Sequence, residues 1–409
     1  MIDELAPEAF PPAARANGTT AAAARQLFYF CPEISDASTL KRVQQFIDHG
    51  YGVTVFGFHR TRYNTSYAPA WPYVALGLTV DGRYWHRLRA LLGALPAIVR
   101  HRRLLKRASI FYARNLDQLV LALLARLLVL SAAPIVYEVL DVPPFLTRRG
   151  WGSRLLRWIE RLCLRRIDLL VLSSPGFHRN YYDAIQAYRG NWFLLENKLH
   201  PSIVDSGGSS APRVRRKGAP WIVAYFGLIR GRETFDLMAR LAERLKDRVI
   251  FRFRGALTTV DAAHFGATLR RLPNMEFGGP YLPHQDLPAL YGDVDFAWAL
   301  DLEHIDHNSR WLMPCRFYEA GYFGVPCLAV RRFEVGMAIE QHHIGFTFDA
   351  PLEEQMVRFF ERLTESDYEH VRRRLRAVPS DMFVARDDAE RLCAQLDEFM
   401  AGNITPRPD

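Results

Sequence analysis

The sequence has 409 residues, 49% of them hydrophobic and 24% charged, which is typical of a folded globular protein and excludes a disordered one. This length predicts two domains or one large domain. The five cysteines include no C-x-x-C pair, so nothing indicates a disulfide framework or a zinc site, and a reducing cytosol is favoured. Residues 1–25 lack the basic segment and apolar core of a signal peptide, and we interpret them as a flexible leader.

The formal net charge of +9 is concentrated in two segments. Residues 83–107 contain no acid, and residues 148–166 contain only Glu160. Tryptophan and leucine alternate with the basic residues, a pattern typical of helices that lie in a membrane interface, although ordinary amphipathic helices packed on a sheet remain the alternative. Charge confined in this way argues against a nucleic-acid binder. The residues predicted to dock on an anionic membrane surface are Arg102, Arg103, Lys106, Arg107, Arg154 and Arg157.

The first half of the chain predicts a parallel sheet. A strand at Gln26–Phe30, a helix at about 38–49 and a strand at Val53–Phe58 form a βαβ unit. Further strands are predicted at Ser109–Tyr112, Ile135–Val139, Leu169–Ser173 and Trp192–Leu195. Parallel sheets bind ligands at the carboxyl ends of their strands. The loop after the first strand therefore offers Glu33, Ser35 and Asp36 as candidate site residues, although an ordinary surface loop fits equally well.

Asp141 is the candidate general base. It follows the strand Ile135–Val139, so its carboxylate is expected to point into the ligand crevice; a turn cap before the prolines is the alternative. Glu138 lies at the same end of that strand. The apolar run Leu119–Leu140 is interrupted by Arg126 and Pro134, so it predicts a helix followed by a buried strand rather than a membrane span.

A glycine-, serine- and proline-rich stretch at 204–220 predicts a linker, after which the strand–helix pattern begins again. The predicted units are an N-terminal domain at 26–203, which contains the membrane-docking residues, a C-terminal domain at 221–380, and a final helix and tail at 381–409. Strands are predicted at Trp221–Phe226, Val249–Arg254, Asn274–Phe277, Phe296–Leu300 and Cys327–Val330. Gly227, Arg230 and Arg232 lie between the first of these strands and a helix, an arrangement that suits phosphate. The acids and histidines at 293–308 are interpreted as loop residues, so we assign no metal site.

The segment Trp311–Val330 predicts a short helix that begins near Pro314 and ends at Gly324. Arg316 and Glu319 then lie one turn apart near the helix N-terminus, in a largely apolar setting. A cation there suits a diphosphate and the carboxylate suits ribose hydroxyls. A surface ion pair is the alternative interpretation.

These features resemble the GT-B glycosyltransferases, which have an α/β fold of two facing Rossmann-like domains with a cleft between them. The resemblance implies that the N-terminal domain binds the acceptor, with Glu33, Ser35 and Asp36 on the acceptor side, and that the C-terminal domain binds the nucleotide sugar. The motif P-x-R-x-x-E-x4-G-x-P from Pro314 to Pro326 is similar to the donor half of family-4-like bacterial exopolysaccharide enzymes. The resemblance implies that Arg316 binds the nucleotide diphosphate, with Arg230 a weaker candidate, and that Glu319 binds the ribose. It also places Asp141 where membrane-associated glucuronosyltransferases of this fold have their base. The family's E-x7-E pattern would require a glutamate at Trp311.

The resemblance implies transfer of a hexosyl group of glucose or glucuronic acid type. The expected donor is a UDP-sugar, and the expected acceptor is a polyprenyl-pyrophosphate-linked oligosaccharide. This would occur in exopolysaccharide synthesis at the inner face of the cytoplasmic membrane, without a metal cofactor. An inverting reaction with Asp141 as base is favoured over a retaining one. A nucleotide-sugar 2-epimerase of the same fold and a catalytically inactive scaffold are the alternatives.

Overall fold

The computed structural model describes residues 25–60, 69–79, 84–205, 218–305 and 307–403. The predicted leader, except Arg25, and most of the predicted linker at 204–220 lie outside these residues, as does the end of the tail. The predicted domain limits therefore stay predictions, and each half of the chain is defined by its own sheet.

The N-terminal half contains a sheet of seven strands that pair in parallel. They are β1 (Gln26–Cys31), β2 (Gly52–Arg60), β3 (Tyr73–Thr79), β4 (Ile110–Arg114), β5 (Ile135–Val139), β6 (Leu169–Leu172) and β7 (Trp192–Leu194). Their order across the sheet is β3-β2-β1-β4-β5-β6-β7. The central strands β4 and β5 are buried along their whole length, because helices cover both faces of such a sheet.

The C-terminal half contains a second parallel sheet, of six strands. They are β8 (Trp221–Ile229), β9 (Val249–Leu257), β10 (Met275–Phe277), β11 (Phe296–Trp298), β12 (Cys327–Val330) and β13 (Gly345–Phe348). Their order is β10-β9-β8-β11-β12-β13, so the order reverses between β8 and β11. Such a reversal opens a crevice for ligands at the carboxyl ends of the strands.

Helices connect the strands in both halves. Those of the N-terminal half are α1 (Ala37–Asp48), α2 (Tyr84–Arg100), α3 (Arg102–Leu105), α4 (Leu116–Leu128), α5 (Pro144–Thr147), α6 (Trp151–Leu164), α7 (Pro175–Phe177), followed by a π-helical turn at His178–Asp183, and α8 (Pro201–Asp205). Those of the C-terminal half are α9 (Arg232–Leu245), α10 (Ala262–Arg271), α11 (Pro283–Gly292), α12 (Asn308–Trp311), α13 (Cys315–Tyr322), α14 (Glu334–His342), α15 (Leu352–Arg362), α16 (Glu365–Arg376) and α17 (Asp388–Met400).

The two faces of the first sheet are covered by different helices. One face packs with α2, α4 and α6, which lie side by side. The other packs with α1 and with α17 from the end of the chain, whose Leu392 and Leu396 join that core. The Tyr51 hydroxyl donates to Asp397 Oδ1 at 2.7 Å and fixes α17 there. The last helix of the chain therefore completes the N-terminal domain.

The predicted α/β fold with two Rossmann-like domains is confirmed. The apolar run at 119–140 consists of most of α4 followed by β5, as predicted, and among the described residues no helix is long and apolar enough to cross a membrane. The sequence did not reveal β3 and β13. Both are edge strands, and β3 is largely exposed, so neither has the buried apolar pattern that identified the others.

Candidate active site

The loops after the strands of the two sheets meet each other. The N–H of Val142, after β5, donates to Asn308 Oδ1 at 2.9 Å. The Ser174 hydroxyl, after β6, donates to the carbonyl oxygen of Trp311 at 2.5 Å. Asn308 and Trp311 lie in the segment after β11. The carboxyl ends of both sheets therefore face one cleft, which is where ligands of parallel sheets bind.

Arg316 lies in the first turn of α13, and only 9% of it is exposed. Its guanidinium carbon lies 4.0 Å from the centroid of the Tyr225 ring, a cation–π contact. Its Nη1 is buried without a hydrogen-bond partner among the described residues. The first amides of a helix also lack partners within the helix. A buried cation with an unused donor, beside such amides, is suited to an anionic ligand group.

Glu319 lies one turn further along α13 and is half-buried. Its Oε2 accepts a hydrogen bond from the Tyr291 hydroxyl at 2.9 Å. Burial raises the pKa of Glu319, and the Tyr291 hydrogen bond and Arg316 oppose that rise. Because Arg316 stacks on Tyr225 and Glu319 bonds to Tyr291, the geometry favours a cleft site over the surface ion pair that the spacing also allowed.

The end of β8 brings Gly227 and Arg230 to the same cleft. Gly227 has a positive φ of 110°, and a Cβ on Gly255 in the neighbouring strand would lie 1.8 Å from the Gly227 carbonyl oxygen. Arg230 Nε and Nη2 lie 2.8 Å and 2.7 Å from Asp301 Oδ2. Burial raises the pKa of Asp301, but Arg230, the Glu303 N–H and Arg316 together outweigh it and the pKa is lowered. Because the Asp301 carboxylate already neutralises Arg230, Arg316 is better placed than Arg230 to bind an anionic ligand group.

Arg232 does not join these residues. It is the first residue of α9, and its side chain is 73% exposed. Its Nε lies 3.3 Å from Asp236 Oδ2, one turn along the same helix. The structure therefore places this predicted donor-binding residue in a surface pair.

Asp141 is exposed to solvent at the edge of the cleft, with protein of both domains around it. Its Oδ1 accepts a hydrogen bond from Asn308 Nδ2 at 3.0 Å. Desolvation raises the pKa of Asp141 above its usual range, while the Asn308 hydrogen bond and Arg230 oppose that rise. An accessible carboxylate whose pKa is raised is a stronger proton acceptor than an ordinary surface aspartate.

Glu138, three residues earlier, has a different environment. Only 1% of it is exposed, and it lies 2.8 Å from Arg42 Nη2 and 3.2 Å from Arg114 Nε. Burial would raise the pKa of Glu138, but the two arginines outweigh it and the pKa is lowered. We therefore assign Glu138 to the structural core and not to the cleft chemistry.

The loop after β1 is tied to the same cluster. Glu33 Oε1 accepts hydrogen bonds from the Ser35 N–H at 2.9 Å and the Ser35 hydroxyl at 2.7 Å. Asp36 Oδ2 lies 3.6 Å from Arg114 Nη1. Glu33 and Ser35 are buried and Asp36 is half-buried. These three predicted acceptor-side residues thus form an ordered loop at the carboxyl end of β1, and their contact with an acceptor stays a prediction.

The predicted membrane-docking residues are exposed, with one exception. Arg102, Arg103, Lys106, Arg107 and Arg154 are exposed, whereas Arg157 is half-buried. Arg157 Nη1 donates to the carbonyl oxygens of Leu146 and Arg148 at 2.8 Å and 3.3 Å, so it holds the turn before α6. Glu160, the single acid of that segment, is fully buried. The surface of α6 is consequently more basic than the sequence indicates.

The same layer of helices exposes large apolar side chains. Trp151 and Trp158 on α6 are 82% and 55% exposed. The end of α4, between the two basic segments, exposes Leu127 and Leu130 at 68% and 87%. Because α4 contacts both α2 and α6, these residues and the basic ones share one surface.

Sequence reasoning missed three residues of the site: Asn308, Asp301 and Tyr225. Asp301 follows β11 closely, so the rule that identified Asp141 could have found it. No local pattern indicates that Tyr225 lies under Arg316 or that Asn308 reaches the opposite domain.

Trp311, where the family pattern requires glutamate, lies at the interface of the domains. Its carbonyl oxygen accepts from Ser174, and its side chain packs against the core of the N-terminal domain. Among the described residues, no group of three or more His, Cys, Asp and Glu side chains could hold a metal ion.

No protein-family model matches the chain. Over 374 residues, 91% of this chain and 93% of the relative, it is 29% identical to the succinoglycan biosynthesis protein ExoL of Rhizobium meliloti (strain 1021). Among solved structures, a sucrose-phosphate synthase from Thermosynechococcus elongatus aligns with a TM-score of 0.68 at 10% identity. The alignment covers 92% of this chain and 100% of the synthase.

The Anabaena protein HepE, solved in complex with UDP and glucose, aligns with a TM-score of 0.63 at 13% identity, covering 91% of this chain and 99% of its own. At these identities the structural matches establish the fold. The chain thus has the GT-B fold, and the predicted similarity to bacterial exopolysaccharide biosynthesis proteins is confirmed.

Proposed function

We propose that this protein is a glycosyltransferase that moves a hexosyl group, of glucose or glucuronic acid type, from a UDP-sugar to a polyprenyl-pyrophosphate-linked oligosaccharide during exopolysaccharide synthesis. The observation that carries the proposal is the buried guanidinium of Arg316 at the N-terminus of α13, whose Nη1 finds no hydrogen-bond partner among the residues that the structure describes. The similarity to a succinoglycan biosynthesis protein supports the pathway, and the UDP in the HepE structure supports the choice of nucleotide.

On the donor side, Arg316 and the first amides of α13 bind the diphosphate, and Arg230 adds positive charge beside it. Glu319 accepts hydrogen bonds from the ribose hydroxyls, with its carboxylate oriented by Tyr291. Because these groups supply the charge that the leaving diphosphate needs, we expect the reaction to proceed without a metal cofactor.

On the acceptor side, Asp141 removes the proton of the acceptor hydroxyl as its oxygen attacks the anomeric carbon. The bond between that carbon and the phosphate oxygen breaks, and UDP leaves with its new negative charge beside Arg316. Attack from the side opposite the leaving group inverts the anomeric centre. The raised pKa of Asp141 favours its role as proton acceptor, because a base works best when its pKa is near the operating pH.

The first experiment is calorimetric titration with UDP, GDP and UDP-sugars. We expect UDP to bind, and Arg316→Ala to weaken it about 10- to 150-fold, since hydrogen bonds to charged groups contribute about 1.5–3 kcal/mol. The matched control is Arg240→Ala, an exposed arginine of the same domain that pairs with Glu353. Equal UDP affinity in both variants would contradict the site, and the absence of any nucleotide binding would favour an inactive scaffold.

The acceptor lipid requires the enzyme at a membrane, and we propose peripheral attachment to the inner face of the cytoplasmic membrane through α2, α3, α4 and α6. This layer combines exposed arginines with the exposed tryptophans of α6 and leucines of α4. Apolar side chains that enter the interface and cations that attract anionic headgroups are the two contributions to such binding.

Vesicle flotation tests this attachment. Replacing Arg102, Arg103, Lys106 and Arg107 with glutamine should lower binding to phosphatidylglycerol-containing vesicles by two to three orders of magnitude, at about 1 kcal/mol per cation. The control replaces the same number of exposed arginines on the C-terminal domain, Arg358, Arg362, Arg373 and Arg374, and should bind normally. Equal binding of the unmodified protein to neutral and anionic vesicles would reject the membrane role.

A further inference from the structure

Asn308 connects the two domains at the proposed base. It is the first residue of α12, in the C-terminal domain, and only 6% of it is exposed. Its side chain bonds to two residues of the N-terminal domain: Oδ1 accepts from the Val142 N–H at 2.9 Å, and Nδ2 donates to Asp141 Oδ1 at 3.0 Å.

The hydrogen bond from Val142 fixes the orientation of this amide. A backbone N–H can only donate, so the atom facing Val142 must be the carbonyl oxygen Oδ1. The NH₂ group then faces Asp141, where it can donate to a carboxylate. In the opposite orientation, Asn308 Oδ1 would face Asp141 Oδ1 and the NH₂ group would face the Val142 N–H. Neither pair of atoms could then form a hydrogen bond.

The same short segment carries groups of the donor side. Asp301, which holds Arg230, lies seven positions before Asn308. The segment is fixed at several points: the Leu302 N–H donates to Thr234 Oγ1 at 2.9 Å, and the His304 N–H donates to Ser309 Oγ at 3.1 Å. The position of Asn308 is therefore mechanically linked to the residues around the proposed diphosphate site.

We propose that Asn308 is a positioning residue that holds Asp141 ionised and correctly oriented from across the cleft, so that the base is complete only where the two domains meet. This inference rests on the proposed function, because Asp141 is the base only if the protein transfers a glycosyl group. With Oδ1 occupied by Asn308, the other carboxylate oxygen is the one that receives the acceptor proton.

Among the described residues, the charged groups that act on Asp141 most are Arg230, Asp301 and His304 of the C-terminal domain, and the neutral Cys315 thiol at the start of α13 also interacts with it. Desolvation and Asp301 raise the pKa of Asp141, and the hydrogen bond from Asn308 is the largest opposing influence. Loss of that bond should therefore raise the pKa further, which a merely structural contact would not do.

The test measures the titration of Asp141 directly, by ¹³C NMR of protein labelled at the aspartate carboxyl carbons. The Asp141 signal is assigned from its absence in Asp141→Asn. In Asn308→Ala we expect the midpoint to rise by about one pH unit or more, a tenfold change in the protonation equilibrium. Asn308→Asp, which keeps an oxygen for the Val142 N–H but adds a like charge, should raise the pH at which the pair takes up its proton.

Thr268→Ala is the matched control, because it removes a buried hydroxyl of the same domain that donates to the His264 carbonyl oxygen within α10 and does not touch Asp141. Its Asp141 midpoint should equal that of the unmodified protein. Identical midpoints in all variants would overturn the inference, even if Asn308→Ala separated the domains in small-angle scattering. UDP titration of the same samples keeps the two proposals distinct. UDP binding without the shift rejects the role of Asn308, and the shift without UDP binding rejects the proposed function.

Discussion

Two groups of charged side chains, one behind the cleft and one in it, differ in how completely they are paired. Behind the cleft, Glu138 is enclosed by Arg42 and Arg114, and both arginines direct several donors at carboxylate, hydroxyl or amide oxygens. In the cleft, Arg316 Nη1 has no hydrogen-bond partner within the part of the chain that the structure describes. A charge whose hydrogen-bonding capacity is used within the protein stabilises the fold, whereas one with spare capacity is available to a ligand.

The two acids at the end of β5 make the same contrast within four residues. The pKa of Glu138 is lowered by its arginines, and the pKa of Asp141 is raised by desolvation that its partners do not overcome. Sequence position alone makes them equivalent candidates for a base. Their environments assign opposite roles to them, because the chemistry needs a carboxylate that can accept a proton near neutral pH.

The largest effect that this contrast predicts is on stability. Glu138→Gln would leave two buried arginines with a neutral partner, and removing one member of a buried ion pair typically costs about 3–5 kcal/mol. We expect the urea midpoint of the N-terminal domain, followed by tryptophan fluorescence, to fall accordingly. Because the pKa of Glu138 is lowered in the folded state, the stabilisation is present above the pKa of an unfolded glutamate. It is lost as the pH falls through the folded value.

The matched variant is Asp141→Asn, which should leave the urea midpoint nearly unchanged because Asp141 is exposed and singly hydrogen-bonded. On the proposed function it should instead lower glycosyl transfer about 10²- to 10⁴-fold, the usual contribution of a general base, with UDP affinity retained. If the two variants lost equal stability, the distinction between the two acids would be wrong.

Much of this architecture could be predicted because it depends on local pattern. Buried parallel strands are short apolar runs, so Ile135–Val139 and Cys327–Val330 were predicted with their observed bounds. The helix around Arg316 and Glu319 was predicted to begin near Pro314, and Gly324 has the positive φ expected where the helix ends. Asp141 was identified because it follows a strand.

The remainder depends on contacts between residues that are distant in sequence. Asn308 lies 167 positions from Asp141, and nothing near it in the sequence indicates that contact. Arg157 belongs to the same basic segment as Arg154, but its guanidinium donates to two carbonyl oxygens of the preceding turn. Glu160 was expected to offset the charge of its segment, yet it faces the core. Tertiary packing decided each of these cases.

Glu160 extends the comparison to a third case, a buried acid that accepts several hydrogen bonds and forms no ion pair with any other described residue. It accepts from the hydroxyls of Tyr137 and Tyr182 at 3.1 Å and 3.2 Å, from that of Tyr181, and from Gln186 Nε2 at 2.7 Å. Burial raises the pKa of Glu160, and these hydrogen bonds only partly oppose the rise. Hydrogen bonds alone thus compensate buried charge less completely than the arginines beside Glu138 do.

The smallest predicted effect follows from that difference, in Glu160→Gln. A raised folded-state pKa means that the native protein holds a proton which the unfolded chain has released, so the free energy of unfolding falls as the pH rises from about 4.3 towards the folded value. Glutamine cannot ionise, so the stability of the variant relative to the unmodified protein should increase across that window and then level off. Urea unfolding at a series of pH values measures this difference. A difference independent of pH would mean that the four donors compensate the burial completely, and only a pH dependence of the opposite sign would mean that they stabilise the carboxylate as fully as the two arginines stabilise Glu138. The charge of the partners would then no longer explain why the pKa of Glu138 is lowered and the pKa of Glu160 is raised.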